Sequence, residues 1–280
     1  MQIQDKRVVV TGAASGIGKA LCEAFNNAGA KSVVCVDMNL EGATETANDI
    51  GGLAIQANVG QEADIVNVIE KANEYSGGID IFCSNAGIGG VPGFFEVESS
   101  DWQNIWDINV IGHIHAAKHV MPQMLERGSG YLMNTASAAG LLTQVGSAPY
   151  SVTKAAALSL AEWLKITYGE KGIGVSCLCP QAVETPMAPA TNVNFVKEYG
   201  FSNASKFDFE LMQPRFSFNM DVTDLFENRE KVVAATLRGG RGRFMGRIPR
   251  VWFGNAYSRT GATGDYRGWF SNCAGDASVT

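Results

Sequence analysis

Residues 7–30 read RVVVTGAASGIGKALCEAFNNAGA, and this stretch decides the fold. The apolar run at 7–11 predicts a short buried β-strand. Apolar side chains between 17 and 28 then recur at the i, i+3/i+4 and i+7 spacing of a helix. Gly29 is positioned to end that helix, since glycine readily adopts the left-handed conformation found at helix ends. The stretch therefore predicts a strand, a glycine-rich loop and a helix in direct succession.

The same alternation continues along most of the chain. Strand-like apolar runs lie at 32–37, 53–59, 79–87, 130–137 and 174–180, and helical patterns lie at about 40–50, 61–76, 101–127 and 149–168. The strand-like runs lack polar alternation, which is typical of parallel strands that are covered on both faces. No linker or change of composition divides these units, so the sequence predicts one α/β domain with a doubly wound parallel sheet.

Beyond the sixth strand the pattern loosens. Residues 186–218 are rich in Asn, Phe, Met and Pro, with weak helical periodicity, and are predicted to form a substrate loop. A helix is predicted at 222–237 and an edge strand at 243–248, which gives a seven-stranded Rossmann fold with strand order 3-2-1-4-5-6-7. The domain is thus expected to span 1–250, followed by a tail at 251–280 that is rich in glycine and aromatic residues.

Composition narrows the class of protein. The chain has 280 residues and a formal net charge of −6, so it lacks the basic footprint of a general nucleic-acid-binding protein. Its polar start, MQIQDK, shows no signal-peptide pattern, and no apolar run is long enough to span a membrane. The six cysteines lie mostly in apolar runs and do not form a disulfide framework. We therefore expect a cytoplasmic protein with reduced thiols and neither a membrane nor a nucleic-acid partner.

The loop between the first strand and helix has the features of a dinucleotide site. Gly12, Gly16 and Gly18 are spaced G-x3-G-x-G, and small residues there let the backbone approach a pyrophosphate at a helix N-terminus. Asp37 ends the second strand, where an acid can bond a ribose 2′-hydroxyl and repel a 2′-phosphate. This favours NAD over NADP as the cofactor, with NADP as the alternative because the next residue, Met38, is not decisive.

A second cluster carries proton chemistry. Tyr150 and Lys154 are four residues apart in a predicted helix, so their side chains share one face. An ammonium beside a phenol favours the phenolate and is expected to lower the pKa of the tyrosine towards working pH. A tyrosine tuned in this way can exchange a proton with an alcohol or carbonyl oxygen, and Ser137 can hydrogen-bond the same oxygen.

Taken together, the chain resembles the short-chain dehydrogenase/reductase superfamily in its common single-domain form. The resemblance rests on five motifs in the family's order and spacing: TGAASGIG at 11–18, NAG at 85–87, Asn109, the Ser137/Tyr150/Lys154 set, and PQAVETPM at 180–187. It covers residues 5 to about 190 firmly and the remainder loosely. It implies an oxidoreductase that exchanges hydride between NAD(H) and a small secondary alcohol or ketone.

The resemblance also implies residue roles. Tyr150 would be the general acid/base, Lys154 would lower its pKa and bond the nicotinamide ribose, Ser137 would orient the substrate oxygen, and Asn109 would hold a water that links Lys154 to solvent. The residues expected to bind the cofactor are Gly12, Ser15, Gly16, Ile17, Gly18, Asp37, Met38, Asn58, Val59, Asn85, Ala86, Gly87, Thr135, Tyr150, Lys154, Pro180, Val183, Thr185 and Met187.

Two positions depart from the family pattern. Asn58 stands where the family usually has Asp, but the amide keeps an acceptor and can still bond the adenine amine. Gln181 stands where the family usually has Gly, and its side chain either contacts substrate or points away. Both alternatives remain open at this point.

The substrate is less well defined by the sequence. The expected substrate-contacting residues are Ser137, Ala139, Gln144, Gln181 and Glu184, with Phe94, Phe95 and Glu96 on the other side of the pocket. Two acids near the pocket make a polar or amino-substituted alcohol one candidate. The alternatives to an NAD-dependent alcohol dehydrogenase are an NADP-dependent carbonyl reductase and a silent dinucleotide-binding sensor, and a silent sensor need not retain the Ser/Tyr/Lys/Asn set.

The remaining features are interpreted as structural. His115 and His119 are four residues apart, but no nearby cysteine or acid completes a tetrahedral set of ligands. We therefore predict no metal site and assign both histidines to an interface or surface. Cys177 and Cys179 face the same side of a strand, and a lone C-x-C pair is weak evidence for zinc. The resemblance implies a homotetramer joined through the helices at 101–127 and 149–168.

Overall fold

The computed structural model describes residues 3–141, 143, 146–180, 183 and 185–187. Their strands form one parallel sheet in the order β3-β2-β1-β4-β5-β6. The strands are β1 (Arg7–Thr11), β2 (Ser32–Asp37), β3 (Leu53–Gln56), β4 (Ile81–Ser84), β5 (Gly130–Thr135) and β6 (Ile173–Leu178). The doubly wound fold is therefore confirmed for six strands. The predicted seventh strand, the helix at 222–237, the loop from 188 onward and the tail lie outside the described residues.

Helices cover both faces of this sheet. They are α1 (Gly16–Asn27), α2 (Leu40–Ile50), α3 (Glu62–Ser76), α4 (Ser99–Trp106), α5 (Gly112–Glu126), α6 (Ala138–Leu141) and α7 (Ala148–Tyr168). The core under α1 and α2 includes Val8, Val10 and Phe25, whereas the core under α3, α5 and α7 includes Val9 and Phe82. Successive side chains of a strand point to opposite faces, so a strand buried on both faces is apolar throughout.

The predicted long helix at 101–127 is interrupted in the structure. α4 ends at Trp106, a π-helical turn occupies Asp107–Ile111, and α5 continues from Gly112. A π-turn inserts one extra residue into the helix and commonly occurs at functional positions. Periodicity could not predict it, because apolar residues on either side keep nearly the same face. The consequence is that Asn109, predicted in mid-helix, lies in the irregular turn.

An ion pair fastens the amino ends of two central strands. Arg7 Nε and Nη2 donate to the two carboxylate oxygens of Asp80, at 2.8 and 2.6 Å. The backbone N–H of Arg7 also donates to Asp80, at 3.0 Å. Burial opposes ionisation of Asp80, but the bonds from Arg7 outweigh it and hold the pKa of the carboxyl below its ordinary value. The pair aligns β1 with the segment that precedes β4.

The topology brings the predicted site residues to one edge. All six strands are parallel, so the loops that follow them meet at the carboxyl edge. The strand order reverses between β1 and β4, and such a switch point opens a crevice for ligands. The loops after β1, β4 and β5 contain the glycine-rich segment, NAG and Ser137, respectively. Among the helices that the structure describes, none is long and apolar enough to cross a membrane.

Candidate active site

The glycine-rich loop is packed so tightly that side chains cannot be added. Gly12 and Gly16 have φ angles of +72° and +53°, in the left-handed region that favours glycine. A Cβ on Gly18 would lie 1.9 Å from the carbonyl oxygen of Gly12, and one on Gly12 would lie 3.0 Å from the backbone of Ala86. Ser15 precedes α1, so the loop leads directly into the N-terminus of that helix. Small residues in a loop of this kind let the backbone approach a pyrophosphate at a helix N-terminus.

The Asp37 carboxylate is held at the edge of this loop. One oxygen accepts from the backbone N–H of Ala14 at 3.0 Å, and the other accepts from that of Asn39 at 2.9 Å. The side chain is half-buried, and the neighbouring Met38 is exposed. Two backbone donors fix the acid beside the loop, where it can still accept from a ribose hydroxyl.

Asn58 and Val59 lie beyond the carboxyl end of β3. The Oδ1 atom of Asn58 accepts from the backbone N–H of Gly60 at 3.0 Å, and the backbone N–H of Asn58 donates to the Asp64 carboxylate at 2.8 Å. Val59 is buried against Gly112, at the start of α5. The amide that replaces the family's usual acid therefore has a structural role, closing a turn before α3.

The NAG segment joins three strand ends. Thr11 Oγ1 accepts from the backbone N–H groups of Asn85 and Ala86, at 2.9 and 3.0 Å. The Asn85 amide donates to Thr11 O at 3.0 Å and accepts from Thr135 Oγ1 at 3.0 Å. These bonds connect the ends of β1, β4 and β5. Thr11 was not among the predicted site residues, although it ends an apolar strand and is the first residue of the TGAASGIG motif.

Asn109 clamps the segment that follows NAG. Its Oδ1 atom accepts from Ile88 N at 2.8 Å, and its Nδ2 atom donates to Ile88 O at 2.9 Å and to Thr153 Oγ1 at 3.3 Å. The side chain is fully buried. A Cβ on Gly87 would lie 3.1 Å from both Asn109 Oδ1 and Lys154 Nζ, so these two groups flank the same glycine.

The Ser137, Tyr150 and Lys154 side chains come together at the end of β5. Helix α7 begins at Ala148, capped by the Ser147 hydroxyl that accepts from Tyr150 N at 3.4 Å. Lys154 Nζ lies 5.7 Å from the centre of the Tyr150 ring and donates to Thr135 O at 3.0 Å. Ser137 hydrogen-bonds Tyr150, and its Oγ also lies 3.4 Å from Pro180 O. The serine and the phenol are therefore placed to share one substrate oxygen.

The electrostatics of this cluster differ from the prediction in one respect. Burial raises the pKa of Tyr150 above its ordinary value, against the lowering effect of the Ser137 hydrogen bond. The prediction that Lys154 lowers the pKa of Tyr150 is therefore wrong. Lys154 is itself fully buried, and desolvation lowers its pKa to about 8, against the raising influence of Cys177 and Cys179. Removal of both groups from water is the effect that sequence spacing did not reveal.

Some of the remaining predicted residues are described by the structure, and others are not. Ala139 is buried, Pro180 accepts from Ala138 N, and Thr185 lies against Gly16. Gln144, Gln181 and Glu184 lie outside the described residues, so the two readings of Gln181 stay open. Val183 is half-buried, and Met187 is exposed. Phe94 and Phe95 stack edge to face on the exposed loop that also carries Glu96.

The paired histidines have separate partners. His115 Nδ1 contacts Val59 O at 3.2 Å, and His119 Nε2 contacts Glu62 Oε1 at 2.7 Å. The acid that His119 contacts was not visible in the local sequence, because α3 brings Glu62 across from a distant part of the chain. That carboxylate also accepts from Lys118 at 2.6 Å, and the bonds from Lys118 and His119 lower its pKa to about 2. These contacts join α3 to α5.

Comparison with known proteins agrees with this geometry. The pattern of the short chain dehydrogenase family matches residues 6–194. The chain is 36% identical over 194 residues to the 1-deoxy-11-beta-hydroxypentalenate dehydrogenase of Streptomyces exfoliatus, covering 67% of this chain and 70% of that protein.

Two solved structures are similar as well. A 3-ketoacyl-(acyl-carrier-protein) reductase from Brucella melitensis complexed with NADH has a TM-score of 0.64 and 34% identity, covering 66% of this chain and 79% of that one. A short chain dehydrogenase/reductase from Burkholderia phymatum in complex with NAD has a TM-score of 0.67 and 26% identity, covering 84% and 88%. The chain belongs to the short-chain dehydrogenase/reductase family of oxidoreductases.

Proposed function

We propose that this protein exchanges hydride between NAD(H) and a small secondary alcohol or ketone, with Tyr150 as the general acid/base. The observation that carries the proposal is the cluster of Ser137, Tyr150 and Lys154 at the carboxyl edge, beside a glycine cradle that has no room for side chains. The test is to incubate the protein with NADH and a panel of small ketones and to measure the consumption of NADH by its absorbance.

The residues of the cradle fit a dinucleotide. Gly12, Gly16 and Gly18 leave the loop backbone and the α1 N-terminus open to a pyrophosphate, and the Asp37 carboxylate is positioned for a ribose hydroxyl. When bound, the nicotinamide supplies or accepts the hydride. The part of the protein in this reaction is to orient the substrate and to move the proton.

The proton step involves three side chains. In ketone reduction, Ser137 donates a hydrogen bond to the carbonyl oxygen, and Tyr150 transfers its phenolic proton to that oxygen as the alcohol forms. The Lys154 ammonium stabilises the phenolate that remains. Because burial opposes the phenolate, this stabilisation is needed most at the moment of transfer. Asn109 holds the Ile88 backbone beside Lys154 and keeps the wall of the site fixed.

The preference for NAD over NADP is predicted to depend on the charge of Asp37. Asp37→Ala should raise the dissociation constant of NADH about tenfold, a loss of about 1.4 kcal/mol, and should strengthen NADPH binding. Asp37→Asn is the matched control, because the amide keeps an oxygen acceptor while losing the charge. We expect Asp37→Asn to strengthen NADPH binding as well, with a smaller loss of affinity for NADH than Asp37→Ala. Fluorescence titration measures both affinities. Stronger binding of NADPH than NADH by the unaltered protein would contradict the NAD assignment.

The pH dependence of ketone reduction should follow Lys154. Its ammonium form is the one that stabilises the phenolate, and burial lowers its pKa to about 8. Protonated Lys154 is present below that pH and is lost above it, so kcat should fall as pH rises through about 8. A profile of kcat against pH at saturating NADH and ketone measures this. A rate that keeps rising to pH 10 would contradict the assignment.

The substrate class is a further part of the proposal. The loop with Phe94, Phe95 and Glu96 lies at the end of the site that faces α7, since Gly93 bonds the backbone next to Ser147. It offers both apolar surface and one carboxylate to a small polar molecule. An amino alcohol is the candidate that this acid favours. If so, a neutral analogue of equal size should have a much lower kcat/KM, and equal turnover would exclude the idea.

Assembly is proposed from the exposed apolar side chains of the long helices. Trp106 lies on α4, Ile114 on α5, and Val152, Trp163 and Ile166 on α7, each more than a third exposed. Exposed apolar side chains on these helices are available to be buried against another subunit. We propose that these helices join subunits into a homotetramer. Light scattering of the full chain tests the number of subunits.

The rival function is a dinucleotide-binding protein without turnover. It would need the cradle and Asp37 but not the buried lysine, whose desolvation costs stability. The intact cluster therefore favours the enzyme. Binding of NADH without turnover of any alcohol or ketone in the panel would favour the rival.

A further inference from the structure

A row of polar side chains crosses the sheet beneath α5 and α7. Ser84 on β4 is paired in register with Asn134 on β5, which is paired with Cys177 on β6. Partners in register point to the same face, and this face is otherwise filled by residues such as Phe82 and Leu132. Ser84 and Asn134 are both buried. Polar groups in such a place require hydrogen-bond partners.

His113 covers this row from α5. Its Nδ1 atom lies 2.7 Å from Ser84 Oγ, and the side chain is only 1% exposed. It is four residues after Asn109, on the same side of the helix, so it lies one turn below the residue that clamps the site wall. Burial of an imidazole costs free energy unless its polar atoms are hydrogen-bonded. A fully buried histidine that bonds a serine on a neighbouring strand therefore indicates a role beyond packing.

Two atoms in this region have no hydrogen-bond partner among the described residues. They are His113 Nε2 and Asn134 Nδ2, both fully buried. Lys154 lies close enough for its charge to act on His113, and it donates to the carbonyl of Thr135, the residue after Asn134. Buried polar groups that lack protein partners commonly bind an internal water, which forms about three hydrogen bonds.

We propose that His113 Nε2 and Asn134 Nδ2 hold a buried water behind Lys154, and that His113 is through this water a positioning residue for the reaction proposed above. Lys154 and Asn134 both donate to the water, whose own hydrogen is accepted by His113 Nε2. Nδ1 then carries the imidazole proton and donates a hydrogen bond to Ser84 Oγ. The water thereby gives the buried Lys154 ammonium a hydrogen-bond acceptor that the surrounding apolar side chains do not supply.

The electrostatics suit a neutral imidazole. Burial, and to a lesser extent the charge of Lys154, lower the pKa of His113 to about 3, so the ring stays an acceptor throughout the working range. The titratable groups that face Lys154 from this side are Cys177, Cys179 and His113, with Tyr150 on its own helix. Loss of the Nε2 acceptor removes stabilisation of the ammonium, so the pKa of Lys154 falls further.

Two amide variants separate positioning from structure. His113→Asn keeps a polar atom near Nδ1 for Ser84 but loses the Nε2 end, whereas His113→Gln extends to the Nε2 position. We expect His113→Asn to lower kcat about 10- to 100-fold and to shift the alkaline fall of kcat to lower pH, and His113→Gln to restore part of both. His119→Leu is the control: His119 is half-buried on α5, contacts Glu62 and not Ser84, and its replacement should leave both unchanged. Wild-type kcat and pH profile in His113→Asn would overturn the proposal.

A second measurement does not depend on turnover or on the variants folding. Nitrogen-15 NMR of the unaltered protein reports which imidazole nitrogen carries the proton. The proposal requires a neutral His113 protonated at Nδ1, and a high-resolution crystal structure should show a water within hydrogen-bond distance of Nε2 and Asn134 Nδ2. A ring protonated at Nε2, or a dry site, would refute the proposal even if the enzyme is active. If no ketone is reduced but these features are found, only the proposed function fails.

Discussion

Tyr150→Phe should lower kcat for ketone reduction by about 10³-fold, because the variant has no phenolic proton to give to the forming alkoxide. Affinity for NADH should change by less than about threefold, a cost below ~0.7 kcal/mol, since the phenyl ring keeps its place beside Ser137 and Lys154. The predicted result is therefore a protein that folds and binds dinucleotide but does not turn over. Steady-state kinetics and fluorescence titration on the same preparation measure both quantities.

Tyr168→Phe is the matched control for this variant. Tyr168 ends the same helix and packs edge to face on Trp163, far along α7 from the site. Removal of its hydroxyl should leave both kcat and NADH affinity unchanged. If Tyr150→Phe retained most of the wild-type kcat, the general acid would have to be another group, and the proposed proton path would be wrong.

Gly18→Ala should have the largest effect on cofactor binding. The new Cβ would lie 1.9 Å from Gly12 O and 2.5 Å from Gly12 C, so the loop must move by more than an ångström. That movement withdraws the loop from the pyrophosphate. We expect the dissociation constant of NADH to rise at least about tenfold, or ~1.4 kcal/mol. Isothermal titration calorimetry measures the change directly.

Ala20→Gly separates this effect from helix stability. Ala20 lies two residues further along α1, and its replacement costs about 1 kcal/mol of helix propensity without touching the loop. It should lower the melting temperature while NADH affinity stays within about twofold, or ~0.4 kcal/mol. Normal NADH affinity in Gly18→Ala would show that the cradle does not need its tight packing.

Much of the architecture could be predicted because it depends on local pattern. Runs such as 7–11 and 32–37 are apolar on both faces and are separated by helical patterns, and the two observations together indicate a parallel sheet. The glycine spacing in 11–18 reflects the close approach of Gly18 to Gly12, two residues that are near each other in sequence. Asp37 was predictable for the same reason, since its position at a strand end determines where its carboxylate lies.

Other features depend on contacts between distant residues and escaped prediction. The π-turn at Asp107–Ile111 leaves the apolar pattern intact and becomes visible only through the bonds of Asn109 to Ile88. The pKa of Tyr150 is raised because folding buries the phenol, a quantity that its spacing from Lys154 does not contain. His113 was not predicted to have a role, and its partner Ser84 is 29 residues away in sequence.

The most direct test of the central claim is transfer of deuterium from NADH labelled at C4. The unaltered protein is incubated with labelled NADH and the panel of small ketones, and the alcohol products are examined by mass spectrometry. The account predicts deuterium on the carbinol carbon of at least one product, from one face of the nicotinamide only, and none with Tyr150→Phe. Oxidation of NADH that leaves no deuterium in any alcohol would contradict it.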